Sequence, residues 1–183
     1  MRVFAVALVV GLSMLVSAGL RTTIAADKDN TIHMQLKDGT VVIQLRPDIA
    51  PQHVARVKQL VKDKFYDNIV FHRVIDGFMA QSGDPTGTGT GGSNYPDLPA
   101  EFTRTPFKKG TIGAARTNDP NSANSQFFIC FTDTSCQHLT GQYTVWGQVV
   151  KGMEHVNAIK KGAQGSGLVS GPDKIVKMRL ASE

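Results

Sequence analysis

Two stretches of this 183-residue chain concentrate side chains that could do chemistry. The first runs Phe71-His72-Arg73-Val74-Ile75-Asp76-Gly77-Phe78-Met79-Ala80-Gln81-Ser82-Gly83-Asp84, and the second Ser122-Ala123-Asn124-Ser125-Gln126-Phe127-Phe128-Ile129. Each sets a glutamine among apolar residues, and the first also holds an arginine inside a strand-like hydrophobic run. A guanidinium is expensive to bury without hydrogen bonds. If its strand lines a groove, Arg73 presents a permanently charged, rigid donor fork above an apolar floor. The other constellations are weak. Ser125, His72 and Asp84 could be imagined as a hydrolase triad, but no Gly-x-Ser-x-Gly pattern surrounds the serine. His33, His53, His72, His138 and His155 lack the close spacings of a zinc site, so no metal is expected. The glycine-rich stretch from Gly83 to Gly92 lacks a P-loop lysine, and no helical pattern follows it. It is read as a long surface loop.

The elements that must position these residues are mostly strands. Thr31–Leu36 alternates apolar and polar residues, Asp38-Gly39 is a hairpin signal, and Val41–Leu45 returns as the partner. Pro51 suits an early helical position, and Val54, Val57, Leu60 and Val61 recur at helical spacing up to about Lys64. Further strand-like runs cover 69–75, 78–82, 110–116, 126–131, 144–150 and 174–180, with a second helix over about 153–160. Alternation puts Phe127 in the core, with Gln126 and Phe128 on the opposite face. Many short strands with two helices indicate a β-barrel or sandwich carrying helices at its ends.

The N-terminus has the order of a secretory signal peptide. Arg2 precedes an acid-free apolar run, and small residues at Ala25-Ala26 precede the charged Asp27-Lys28-Asp29. Cleavage near Ala26 divides the chain into a signal peptide over 1–26 and one domain over 27–183, with an uncleaved membrane anchor as the alternative. Export implies an oxidising compartment. Cys130 and Cys136 could bridge a short loop, but Cys130 sits inside the run Phe127–Phe131 and is read first as a buried thiol. Composition, with 41% hydrophobic and 19% charged residues, excludes a disordered chain. The formal charge of +5 invites a nucleic-acid reading. Arg2 and Arg21 belong to the signal segment, however, and the lysines are spread thinly, so no nucleic-acid partner is expected.

Phe71-His72-Arg73-Val74-Ile75-x-Gly77-Phe78-Met79-x-Gln81-x-Gly83-Asp84, followed by Ser125-Gln126-Phe127-Phe128-Ile129, resembles the cyclophilin family of peptidyl-prolyl cis-trans isomerases, in particular its bacterial periplasmic members. The likeness spans about Thr31 to Leu180. It implies a mainly β fold, a closed eight-stranded antiparallel barrel capped by two α-helices, needing no cofactor. It further implies that Arg73 is the catalytic arginine and that Phe78, Met79, Phe128 and Leu139 receive the proline ring. Gln81 and Gln126 would hold the substrate carbonyl and orient Arg73. Ala115 and the backbone of Arg116 would bind the segment before the proline. There are departures: His138 stands near a family tryptophan, Tyr143 at a family histidine, and Arg116 where many members have asparagine. The stretch 132–137 is longer by about two residues. The implied substrates are proline-containing polypeptides, among them folding periplasmic proteins, and the expected state is monomeric. The rival reading is a periplasmic chaperone or proline-peptide binding module with little turnover.

Overall fold

A computed structural model describes residues 27–183, and the signal-peptide reading of residues 1–26 lies outside them. The described chain carries eight strands: β1 (Thr31–Leu36), β2 (Gly39–Leu45), β3 (Arg73–Ile75), β4 (Met79–Ser82), β5 (Thr111–Ala114), β6 (Phe127–Cys130), β7 (Val145–Lys151) and β8 (Lys177–Leu180). Two α-helices accompany them, α1 (Pro51–Lys62) and α2 (Met153–Asn157). The strands form one antiparallel sheet in the order β3-β4-β6-β5-β7-β2-β1-β8.

The sheet curls around an apolar interior. Alternation along β1 and β2 sends Ile32, Met34, Val41, Ile43 and Leu45 inward, where they meet Trp146, Phe127 and Ile129. Helix α1 closes one end with Val54, Val57, Leu60 and Val61, the residues at helical spacing. Its first turn has no side-chain cap from Ala50. Instead the backbone N–H groups of Gln52 and His53 donate to the two Glu101 carboxylate oxygens, each at 3.0 Å. A distant carboxylate thus fills the role that an N-cap residue plays in most helices.

The expected closed barrel is corrected to an open, curled half-barrel, because no ladder joins the edge strands β3 and β8. The strand read over 69–75 begins only at Arg73, and the one read over 174–180 only at Lys177. Between them the chain makes isolated bridges, Val70 with Lys174 and Arg73 with Leu168, and single backbone bonds such as Val74 N–H to Gly167 O at 2.7 Å. The physical reason lies in the segment 162–172. Gly165, Gly167 and Gly171 have positive φ, and Pro172 lacks an N–H, so this stretch cannot extend a ladder. The second helix also stops short of the expected Lys160, because the chain must turn for Gly162 N–H to reach Val74 O at 2.9 Å.

Cys130 is corrected as well. It is joined to Cys136 by a disulfide, and neither is a free thiol. An apolar run reads the same for a buried thiol and a buried half-cystine.

Candidate functional site

Strands β3, β4 and β6 are neighbours, so the two motif segments meet side by side. The registers place Arg73 opposite Gln81, and Gln81 opposite Phe128. On β4 and β6 alternate residues face opposite ways. Ala80, Phe127 and Ile129 join the interior, while Met79, Phe128 and Cys130 join a second apolar cluster outside it. Phe78, Ala115, Leu139 and Tyr143 pack against that outer cluster.

This outer face is a groove. Arg73, Phe78, Met79, Gln81, Ala115, Arg116, Phe128, His138, Leu139 and Tyr143 line a pocket of about 470 Å³. An adjoining pocket of about 450 Å³ shares Gln81, Ala115 and Arg116 with it and adds Gln126. The two meet beside Gly89. All eleven residues singled out from the sequence therefore lie along one surface depression.

The apolar part is built tightly. Phe128 stacks on Phe107 at 5.6 Å between ring centroids and meets the edge of Tyr143 at 5.6 Å. Gly113, opposite Phe128 in the register, makes this possible: a Cβ there would strike both the Phe128 and Phe107 rings. His138 lies over Phe78, with centroids 5.5 Å apart. The Arg116 guanidinium rests 4.5 Å from the Tyr143 ring centroid and donates from Nε and Nη2 to the Gln142 carbonyl. It forms no ion pair with a carboxylate among the described residues.

The polar part is a relay. Gln126 Nε2 donates to the Gly89 and Gly91 carbonyls at 3.0 and 2.8 Å, which uses both of its amide hydrogens. Its Oε1 accepts from Gln81 Nε2 at 2.9 Å, and Gln81 Oε1 accepts from Arg73 Nη1 at 3.4 Å. On the other side Arg73 Nε donates to the Ser166 carbonyl at 3.2 Å. Arg73 is thus fixed from two directions by neutral acceptors, and one Gln81 N–H remains for a ligand.

The glycine-rich loop at the start of this relay is ordered by Asp84. Its carboxylate accepts from Thr86 and Gly89 N–H and from the Thr86 hydroxyl. Burial pushes this acid up, but these hydrogen bonds outweigh it and bring its pKa down to about 2. Ser125 donates to the Gly83 carbonyl at 2.7 Å and is structural. No hydrogen bond links Ser125, His72 and Asp84, so the triad is not assembled. His72 is buried, and burial pushes its pKa down. The sequence reading missed Ser166 and Leu168, which reach Arg73 from the segment 162–172 between the edge strands β3 and β8. An exposed leucine in a glycine- and serine-rich turn carries no periodic signal.

Residues 31–180 match the family model of the cyclophilin type peptidyl-prolyl cis-trans isomerases. The chain belongs to this family. It is 52% identical over 176 residues to a probable peptidyl-prolyl cis-trans isomerase of Brucella suis, covering 90% of this chain and 89% of the relative. It is 39% identical over 152 residues to a peptidyl-prolyl cis-trans isomerase of Synechococcus elongatus, covering 82% and 95%. Among solved structures it is similar to a cyclophilin of Hirschia baltica, with TM-score 0.77, 26% identity, and coverage of 86% and 76%. It is also similar to a Cryptosporidium parvum cyclophilin determined in the presence of the dipeptide Ala-Pro, with TM-score 0.73, 25% identity, and coverage of 82% and 98%. As in the family named by these matches, the activity of the chain is peptidyl-prolyl cis-trans isomerisation.

Proposed function

We propose that this cyclophilin accelerates X-Pro rotation in exported polypeptides by seating the proline ring on Phe78, Met79, Phe128 and Leu139 while Arg73 stabilises the twisted amide. The observation that carries the reading is the place of Arg73: it stands on the wall of the pocket that Phe78, Met79, Phe128 and Leu139 also line, and among the described residues its hydrogen-bond partners are neutral. C–N resonance opposes rotation by about 18–20 kcal/mol. At the twisted transition state that conjugation is lost, and the prolyl nitrogen gains a localised lone pair. A donor aimed at this nitrogen acts in the transition state and not in the planar ground state, so it lowers the barrier. No proton is transferred and no covalent intermediate forms. The spare N–H of Gln81 suits the substrate carbonyl, and Gln126 orients Gln81 through the glycine-rich loop. Ala115 and the Arg116 backbone bind the residues before proline, with His138 and Tyr143 at the pocket rim.

The site of action in this reading is the periplasm, after removal of residues 1–26, and the protein acts as a monomer on folding clients. Support comes from the signal-like N-terminal order and from the disulfide, which suits an oxidising compartment. The mass of the mature N-terminus in a periplasmic extract checks it.

The catalytic test is Arg73→Ala on an Ala-Pro peptide, followed by exchange NMR of the cis and trans peaks. Loss of one preorganised transition-state donor predicts a rate about 100- to 1000-fold lower, with the fold intact by circular dichroism. Equal rates for variant and wild type would overturn the mechanism and leave a proline-peptide binding module.

A further inference from the structure

The disulfide lies within the walls of the proline pocket. Cys130 sits on β6 two residues beyond Phe128, on the same outward face, and stands opposite Met79 in the register. Cys136 immediately precedes the single helical turn Gln137–Leu139, which carries His138 and Leu139. Leu139 N–H donates to the Cys136 carbonyl at 2.9 Å. The loop between the two cysteines also grips Phe78: Phe131 N–H and Ser135 Oγ donate to the Phe78 carbonyl at 3.0 and 3.1 Å. One covalent link therefore ties the floor of the pocket, through Met79 and Phe128, to the walls made by Phe78, His138 and Leu139.

Other ties on this loop are few and mostly exposed. They include turn bonds between Thr132 and Ser135 and a bond from Lys109 N–H to Asp133 at 3.2 Å. Both half-cystines are 0% exposed, so an attacking thiolate has no path to either sulfur. This burial speaks for a permanent brace and against a redox switch.

We infer that Cys130–Cys136 is a positioning device for substrate binding, which holds His138, Leu139 and Phe78 in the ring-accepting arrangement. The inference rests on the proposed pocket. Without the brace, the wall spends part of its time displaced, and apparent affinity falls by the fraction still competent. Arg73 and Gln81 sit on β3 and β4, outside the bridged loop, so turnover of bound peptide is spared.

The test compares wild type with the double variant Cys130→Ala, Cys136→Ala, using full kinetics on an X-Pro peptide, melting temperature and amide hydrogen exchange. The expected result is a KM raised about three- to tenfold with kcat within about twofold, and faster exchange at Gln137–Leu139. A lowered melting temperature with unchanged KM and unchanged exchange at Gln137–Leu139 would make the bridge merely structural and overturn the inference. Two free thiols in the denatured wild-type protein, purified without reductant, would overturn it too. If the double variant does not fold, wild-type chain refolded under tris(2-carboxyethyl)phosphine takes the same measurements. An inactive wild type would sink the reading of the pocket instead, and hydrogen exchange at Gln137–Leu139 would still decide whether the bridge holds the wall.

Discussion

Phe127 and Phe128 are neighbours on β6, both aromatic and both buried, at 1% and 5% exposure. They belong to different parts of the molecule. Phe127 faces inward, edge-on to Tyr66 and Trp146, in the interior that α1 closes. Phe128 faces outward, stacked on Phe107 and met by Tyr143, on the floor of the groove. Burial alone does not tell a core residue from a site residue. What separates them is the company each keeps. The interior is apolar almost throughout, whereas the groove is an apolar patch rimmed by Arg73, Gln81, Gln126 and Arg116.

The largest effects should come from truncating these two rings. Phe127→Ala opens a cavity in the interior and is expected to cost about 3–5 kcal/mol of stability, read as a shift of the denaturant midpoint. The folded fraction should keep its kcat/KM within about threefold. Phe128→Ala should reverse the pattern. Its ring borders the open groove, so the stability loss is smaller, while removal of the pocket floor raises KM by about tenfold or more, at roughly 1.4 kcal/mol per tenfold. If both variants lose stability and activity in the same proportion, the two faces of β6 are not functionally distinct.

The division between the faces was legible in the sequence because it follows a local rule. A strand alternates with period two, so the run Gln126–Phe131 sorts itself once the strand is recognised. The same holds for Met79 and Gln81 against Ala80 on β4. The long first motif covers adjacent paired strands, and for that reason its residues arrive at one groove. What escaped depends on contacts distant in sequence or on patterns with no period. The seam between β3 and β8 is irregular because of glycines and Pro172 far along the chain. Ser166 reaches Arg73 across 93 positions. The Cys130–Cys136 pairing depends on the direction of a loop that apolar patterning does not specify. Glu101 caps α1 from 48 or 49 positions away, and no capping box announces it.

A smaller effect tests whether the groove is held by polar scaffolding while the interior is held by packing. Asp84 is the anchor of that scaffolding, since its carboxylate shapes the loop whose carbonyls fix Gln126, and through it Gln81 and Arg73. Asp84→Asn keeps the size of the side chain but removes its charge and half of its acceptors. Loss of one to two charge-assisted hydrogen bonds predicts a kcat/KM about tenfold lower. The change should be mainly in kcat, because the apolar floor is untouched. A change confined to melting temperature would show that the loop supports the fold and not Arg73.

The smallest effect belongs on the other side of the comparison, at the end of the interior. Burial of Glu101 raises its pKa, but bonds from the Gln52 and His53 N–H groups and from the His53 ring outweigh it and hold the acid below its ordinary 4.5. His53 is pushed down by burial, against the pull of Glu101. Its Nδ1 lies 2.6 Å from the Glu101 carboxylate, while its buried Nε2 has no partner among the described residues, which suits a neutral ring donating from Nδ1. A depressed carboxylate stabilises the fold fully above pH 4.5, and that contribution is lost as pH falls through the lower folded value. A histidine held neutral adds a second acid slope, beginning below its ordinary 6.5, because the unfolded chain takes up the proton more readily. Glu101→Gln should therefore lower stability at pH 7 by about 1–2 kcal/mol, the scale of a lost helix cap. The gap between variant and wild type should close as pH falls below 4.5 and through the lower folded value of Glu101, while the histidine slope that begins below 6.5 persists in both. Thermal melts at pH 7, 5 and 3 read this out. A gap that stays constant across that range would mean that shape, and not charge, is what Glu101 contributes at the start of α1.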